Sequence, residues 1–227
     1  MDLDKIKEQF NSIAERYDRH RRCFIPYFDD FYVRSVSLLK YFDNGFANIV
    51  DLGAGTGLLT KAIYEIYPES NYTLIDVSTD MLDVAKERFH GLDNFTFIEY
   101  DYAEDIPIKN CDLICSALSI HHLENDDKGK LYKSIYSKLN TNGCFVNLDQ
   151  FIVKSKTLNN MYDMWWRDYI ISSGITHEED ISWRERRKLD RDNTVGETME
   201  LLRNAGFDNV ECVYNFMKFG VVIAAKG

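Results

Sequence analysis

The segment Ile49-Val50-Asp51-Leu52-Gly53-Ala54-Gly55-Thr56-Gly57 runs an apolar strand into a carboxylate and then into three glycines on alternate positions. Glycine lacks a Cβ, so such a turn can take positive φ and let a ligand lie against its peptide groups. The helix-like stretch that follows, Leu58 to Ile63, would point its unpaired N–H groups at the same spot. The spacing is G-x-G-x-G, whereas the dinucleotide fingerprint is G-x-G-x-x-G. Asp51 would repel a pyrophosphate but suits a cationic amine. The turn therefore points to a nucleoside that carries an amino acid. Asp76 ends the next apolar run, nineteen residues beyond Gly57, and a carboxylate at a strand tip can accept from two vicinal ribose hydroxyls. His121 and His122 end a further apolar run and titrate near neutrality, which makes them candidate general bases.

Regular alternation of strand and helix has to position these groups. Residues 3–42 read as helical, with Ile6, Phe10, Ile13 and Tyr17 on one side and a break at Pro26. Strands follow at about 47–52, 72–76, 95–99, 112–116 and 144–149, with helices at 58–66, 81–89 and 126–139 and a cap at Ser78-Thr79-Asp80. This order implies a parallel sheet covered on both faces, with ligands at the strand C-termini. After Gln150, a polar and aromatic stretch containing Tyr162, Trp165, Trp166 and Tyr169 fits no strand and reads as a helical cap. A last helix at 194–204 precedes strands 209–214 and 217–225, which must pair antiparallel across a turn at about Asn215-Phe216.

The expected organisation is one domain over 1–227. It comprises an N-terminal helical lid (1–42), a ligand-binding core (43–150), the cap (151–193), and a last helix with its closing hairpin (194–227). Within 227 residues, 45% hydrophobic and 28% charged, one large core fits, and no apolar run is long enough to span a membrane. The charged start of the chain has no secretory core, so a cytoplasmic protein is expected. A net charge of −10 opposes binding to bulk nucleic acid. The basic clusters at 16–22 and 184–191 are interleaved with acids and read as solvated helix faces or as a site for an anion. Five cysteines without a C-x-x-C pair suggest neither a disulfide framework nor a metal site, and no metal is expected.

Four segments together resemble the class I S-adenosylmethionine-dependent methyltransferases: Val50 to Gly57, Leu74 to Ser78 with Asp76, Glu99 to Glu104, and Asp112 to Leu123. The resemblance implies a doubly wound α/β fold, a seven-stranded, mostly parallel sheet with an antiparallel C-terminal hairpin. It implies S-adenosylmethionine as cofactor, S-adenosylhomocysteine as product and a small-molecule acceptor, with a homodimer permitted by the aromatic cap. Carried over residue by residue, it places the cofactor against Asp51, Gly53, Ala54, Gly55, Gly57, Asp76, Val77, Met81, Asp101, Tyr102 and Ala117, with Tyr17 folding over the methionine end. Tyr162, Trp165, Trp166 and Tyr169 would line the acceptor site, or else form a packed cap core.

The C-terminal stretch, Phe207 to Lys226, is similar to the closing hairpin of carboxy-S-adenosylmethionine synthases, which implies a role for one of Arg184, Arg186 or Arg187 toward a carboxylated sulfonium. A non-catalytic nucleoside sensor is the alternative from another class. The expected chemistry is in-line displacement at a sulfonium methyl, for which alignment in a dry pocket matters most.

Overall fold

A computed structural model of the chain describes Phe10, residues 17–42 and residues 45–227. The expected helix before Tyr17, with Ile6 and Ile13, lies outside the described residues. A helix α1 (Tyr17–Phe24) is followed by a π-helical turn at Asp30–Arg34 and a 3-10 helix at Val36–Tyr41. The layer is thus more broken than its periodicity predicts. Pro26 stops α1, and Tyr27 takes a left-handed φ of 53°.

The sheet contains β1 (Asn48–Leu52), β2 (Asn71–Asp76), β3 (Phe95–Glu99), β4 (Cys111–Ala117), β5 (Leu139–Gln150), β6 (Asn209–Phe216) and β7 (Phe219–Ala225). Its order is β3-β2-β1-β4-β5-β7-β6. The first five strands are parallel, and β7 runs antiparallel to both β5 and β6. The helices between them are α2 (Leu58–Tyr64), α3 (Thr79–Arg88) and α4 (Asn125–Lys138). After β5 come α5 (Lys156–Ser172), α6 (His177–Arg187) and α7 (Val195–Ala205). The strand order reverses between β1 and β4, so a crevice opens beyond their C-terminal ends, where ligands bind in open α/β sheets.

Successive strand residues point to opposite faces, which gives the sheet two cores. Ile49, Leu74, Leu113, Val146 and Val221 face the N-terminal helices and the cap, against Phe31, Tyr32 and Trp166. Val50, Ile75, Ile114, Phe145 and Val222 face α4 and α7, against Leu131, Ile135 and Leu202. Side-chain caps fix where several helices start. Ser78 accepts from Met81 N at α3, and Thr176–Glu179 and Thr194–Glu197 form reciprocal boxes at α6 and α7. No helix of the described residues is long and apolar enough to cross a membrane.

The hairpin turn falls at Met217-Lys218, two residues later than the sequence suggests. Met217 takes the left-handed conformation (φ 52°) that glycine or asparagine would have announced. The shift serves the interior: Lys218 is buried, its ammonium pairs with Asp163 of α5, and its carbonyl accepts from Phe151 N at 2.6 Å.

Candidate functional site

Two adjoining cavities occupy the crevice. The first, about 540 Å³ including space open to solvent, is lined by Phe10, Tyr17, Gly53, Gly55, Asp76, Val77, Met81, Asp101, Tyr102, Leu118, Ser119 and His122. The glycine turn hangs on β2, with Gly53 N and Ala54 N donating to Ile75 O at 2.8 and 3.0 Å. Gly53, Gly55 and Gly57 all take positive φ, for three different reasons. A Cβ on Gly53 would strike the Ser119 side chain, and one on Gly57 would lie 2.7 Å from the Phe89 ring. One on Gly55 would meet nothing closer than Tyr17 at 4.0 Å and would stand in the cavity wall.

Asp76 closes the floor of this cavity. Its Oδ2 accepts from Gly55 N and its Oδ1 from Ser78 N, both at 2.8 Å. Burial pushes its pKa up, opposed by these backbone donors. Each carboxylate oxygen has two acceptor sites, so both can still take a hydroxyl. Tyr102 and Ser119 share a 2.6 Å hydrogen bond across the crevice, and Asp101 Oδ1 accepts from Ala103 N at 2.9 Å. Tyr17 is buried with Arg21 stacked 4.2 Å over its ring.

Four residues expected around the cofactor do not line this cavity. Asp51 sits behind the turn, 2% exposed, where its Oδ2 accepts from Thr60 Oγ1 at 2.6 Å and its Oδ1 has no partner among the described residues. Burial raises its pKa to about 7. Ala54, Gly57 and Ala117 shape the turn and the strand end from outside, and Leu118 and Ser119 take the wall position expected of Ala117. Leu118 reaches it through a left-handed φ of 52°. Nothing in the residue types announces that bend.

The second cavity, about 460 Å³ including open space, shares Phe10, Leu118 and His122 with the first. The two histidines stand at this junction in different environments. His121 Nδ1 lies 2.5 Å from Asp149 Oδ1, and its Nε2 is 3.6 Å from Asp190. Burial alone would pull its pKa down, but Asp149 and Asp190 outweigh burial and raise it. His122 Nδ1 is 3.1 Å from Asp190 Oδ1 but off the line of a hydrogen bond, and both its ring nitrogens are buried without a hydrogen-bond partner among the described residues. Burial and the neighbouring His121 lower its pKa. The two rings are thus shifted in opposite directions, and the lowered pKa of His122 favours the neutral form a base needs.

Of the cap aromatics, Trp166 lines the second cavity and also belongs to the core: it is 3% exposed and its Nε1 donates to Phe24 O at 2.7 Å. Trp165 stacks on Tyr169 and meets Phe216 edge-on, away from either cavity, and Tyr162 lines neither. Trp183, Phe24 and Gln150 line the second cavity without a sequence signal to mark them.

His121, His122 and Asp190 also have ligand atoms within 4.8 Å of one another, a spacing a metal could use. The protein already neutralises this group from within. Asp190 Oδ2 accepts from Arg187 and from Gln150, each at 2.5 Å, and His121 is held by Asp149.

The family described as "Methyltransferase domain" matches residues 49–143. The carboxy-S-adenosyl-L-methionine synthase of Staphylococcus epidermidis is 26% identical over 94% of this chain and 93% of its own length. The malonyl-[acyl-carrier protein] O-methyltransferase 1 of Ilyobacter polytropus is 28% identical over 63% of this chain and 51% of its own. Among solved structures, human N-acetylserotonin methyltransferase in complex with S-adenosylmethionine superposes with a TM-score of 0.61 at 21% identity, over 97% of this chain. This chain spans 59% of the human enzyme's length, so that likeness concerns the shared fold.

Proposed function

Because this chain belongs to the class I S-adenosylmethionine-dependent methyltransferases, we propose that its first cavity holds the cofactor and its second a small acceptor, with the methyl passing between them beside His122. The observation that carries this reading is the sharing of Phe10, Leu118 and His122 by the two cavities. Asp76 takes the ribose hydroxyls, Gly53 and Gly55 let the methionine chain lie on the turn, and Asp101 with Tyr102 flanks the adenine. Tyr17 and Met81 close the cavity from α1 and α3. Asp51 acts from behind, as a buried charge beneath the turn that favours a cationic amine above it.

The bound cofactor supplies an activated methyl on a sulfonium. The protein's own residues align the acceptor, exclude water and remove its proton. His122, whose burial favours the neutral form, accepts that proton, while His121, pinned by Asp149, positions it. Residues 151–193 form the cap that closes the acceptor cavity through Trp166, Trp183 and Arg186. Five unpaired cysteines support a reducing, cytoplasmic setting.

A second reading, a transferase acting on a carboxylated sulfonium, is favoured by the likeness to the Staphylococcus epidermidis synthase along nearly the whole chain. Mass spectrometry separates the two. The purified protein is incubated with methyl-labelled S-adenosylmethionine and a small-molecule acceptor panel. The leading reading expects labelled product together with S-adenosylhomocysteine. A carboxylated nucleoside carried through purification, with no labelled product, would replace it with the second.

A further inference from the structure

The second cavity contains positive charge that has no carboxylate partner among the described residues. Three arginines and one aspartate line it: Arg21, Arg186, Arg187 and Asp190. Arg187 binds Asp190 and Asp192, so its charge is answered within the wall. Arg21 and Arg186 have no such partner. Among the described residues no carboxylate lies within ion-pair distance of either. Arg21 Nε is buried without a hydrogen-bond acceptor, and Arg186 donates only to the Ser182 hydroxyl at 3.1 Å. Burial, then repulsion from Arg21, brings the Arg186 pKa down to about 10.

Holding two guanidiniums together in a half-buried wall is unfavourable unless an anion joins them, because each loses hydration and gains a like charge. The arrangement also runs against the net charge of −10 of the whole chain, so the field in this cavity is local and directed. Beside the arginines, one turn along the same two helices, the wall is aromatic. Phe24 stacks on Trp183 with ring centroids 6.0 Å apart, and Trp166 meets Trp183 edge-on at 5.1 Å. A guanidinium fork matches the two oxygens of a carboxylate, and the aromatic wall matches a planar body.

We propose that the acceptor is a flat molecule bearing a carboxylate, which Arg21 and Arg186 hold in the second cavity while its apolar body lies against Phe24, Trp166 and Trp183. This assignment rests on the proposed function, since it names the substrate class of the same acceptor cavity. The two arginines come from α1 and from α6 of the cap, so a bound carboxylate would add a further tie between the cap and the N-terminal layer.

Calorimetric titration tests this with the protein saturated in S-adenosylhomocysteine. The probes are two matched pairs, indoleacetate with indoleacetamide and hydroxybenzoate with hydroxybenzamide, plus inorganic phosphate. We expect at least one acid to bind about tenfold or more tighter than its amide. Arg186→Gln and Arg21→Gln should each reduce that preference to about threefold or less, and the exposed Lys61→Gln should leave it intact. Arg186→Gln should also leave S-adenosylhomocysteine affinity unchanged, which excludes misfolding. Acids and amides binding alike or not at all, phosphate binding in place of the acids, or an acid preference that survives both substitutions would overturn the carboxylate assignment while cofactor binding stands. Failure of the wild-type protein to bind S-adenosylhomocysteine would instead overturn the reading on which it rests.

Discussion

His121 and His122 are adjacent in sequence with ring centroids 4.2 Å apart, yet the protein drives their titration in opposite directions. Asp149 and Asp190 favour the protonated form of His121. Burial, with His121 beside it, favours the neutral form of His122, which stands at the junction of the two cavities.

That division predicts a pH profile. The His122 pKa lies below its ordinary 6.5, so kcat/KM should be flat around neutrality and fall as pH drops through that lowered value. His122→Gln should remove the acidic limb and reduce kcat by about 10²-fold or more. A packing role alone would lower kcat without flattening the profile.

Asp76 should carry much of the cofactor affinity. Asp76→Asn keeps one acceptor oxygen for Gly55 N or Ser78 N but loses the charge that strengthens a ribose hydrogen bond. Calorimetry should show S-adenosylhomocysteine binding weakened by about ten- to a hundredfold, the range for losing one or two hydrogen bonds to a charged group. An unchanged affinity would remove Asp76 from the site.

The glycines of the turn should separate folding from binding. Gly57→Ala combines a left-handed φ with a Cβ 2.7 Å from Phe89, itself stacked 4.2 Å from Phe95, and should cost about 2–4 kcal/mol in urea unfolding. Gly55→Ala meets no such contact and should cost only about 1–2 kcal/mol. Its methyl would nevertheless stand in the cofactor cavity, so S-adenosylhomocysteine affinity should fall more than stability does.

Trp166 should reveal its double duty on truncation. Trp166→Ala removes a buried ring and leaves Phe24 O without its donor, so a loss of about 3–5 kcal/mol is expected by thermal or urea unfolding. Trp166→Phe keeps the ring contacts with Trp183 and Phe219 and should stay folded, which makes it the variant in which acceptor turnover can be read.

Asp51 should make stability fall as pH rises. Its folded pKa of about 7 stands above the ordinary 3.8, so between those values the folded state binds more protons than the unfolded one, and stability is lost as pH climbs through the interval. Asp51→Asn retains an acceptor for Thr60 and removes the buried charge. Its stability advantage over wild type should be larger at about pH 8 than at about pH 5, measured by urea unfolding.

The sheet was legible because each parallel strand is a short apolar run bounded by turn residues, as in Leu74-Ile75-Asp76 followed by the Ser78 cap. The hairpin turn was misread by two residues because Met217 adopts a left-handed conformation by tertiary demand, with Lys218 buried behind it. The glycine turn and Asp76 were legible for a local reason: that part of the first cavity's wall is made by the backbone and by one strand tip. Asp51 shows the limit of that logic, since its distance from the cavity wall depends on Thr60, which captures it from the next helix. The second cavity was not legible, because Arg21, Trp166, Trp183 and Asp190 converge from separate elements and each is unremarkable in its own segment.

The central claim is that the crevice beside the Gly53–Gly57 turn takes a sulfur-linked adenosine and not a dinucleotide. Parallel calorimetric titrations of the wild-type protein with S-adenosylhomocysteine and with NAD test it most directly. Saturable binding of S-adenosylhomocysteine at one site per chain, with no comparable heat from NAD, is the result the account predicts. Preferential binding of NAD would contradict it.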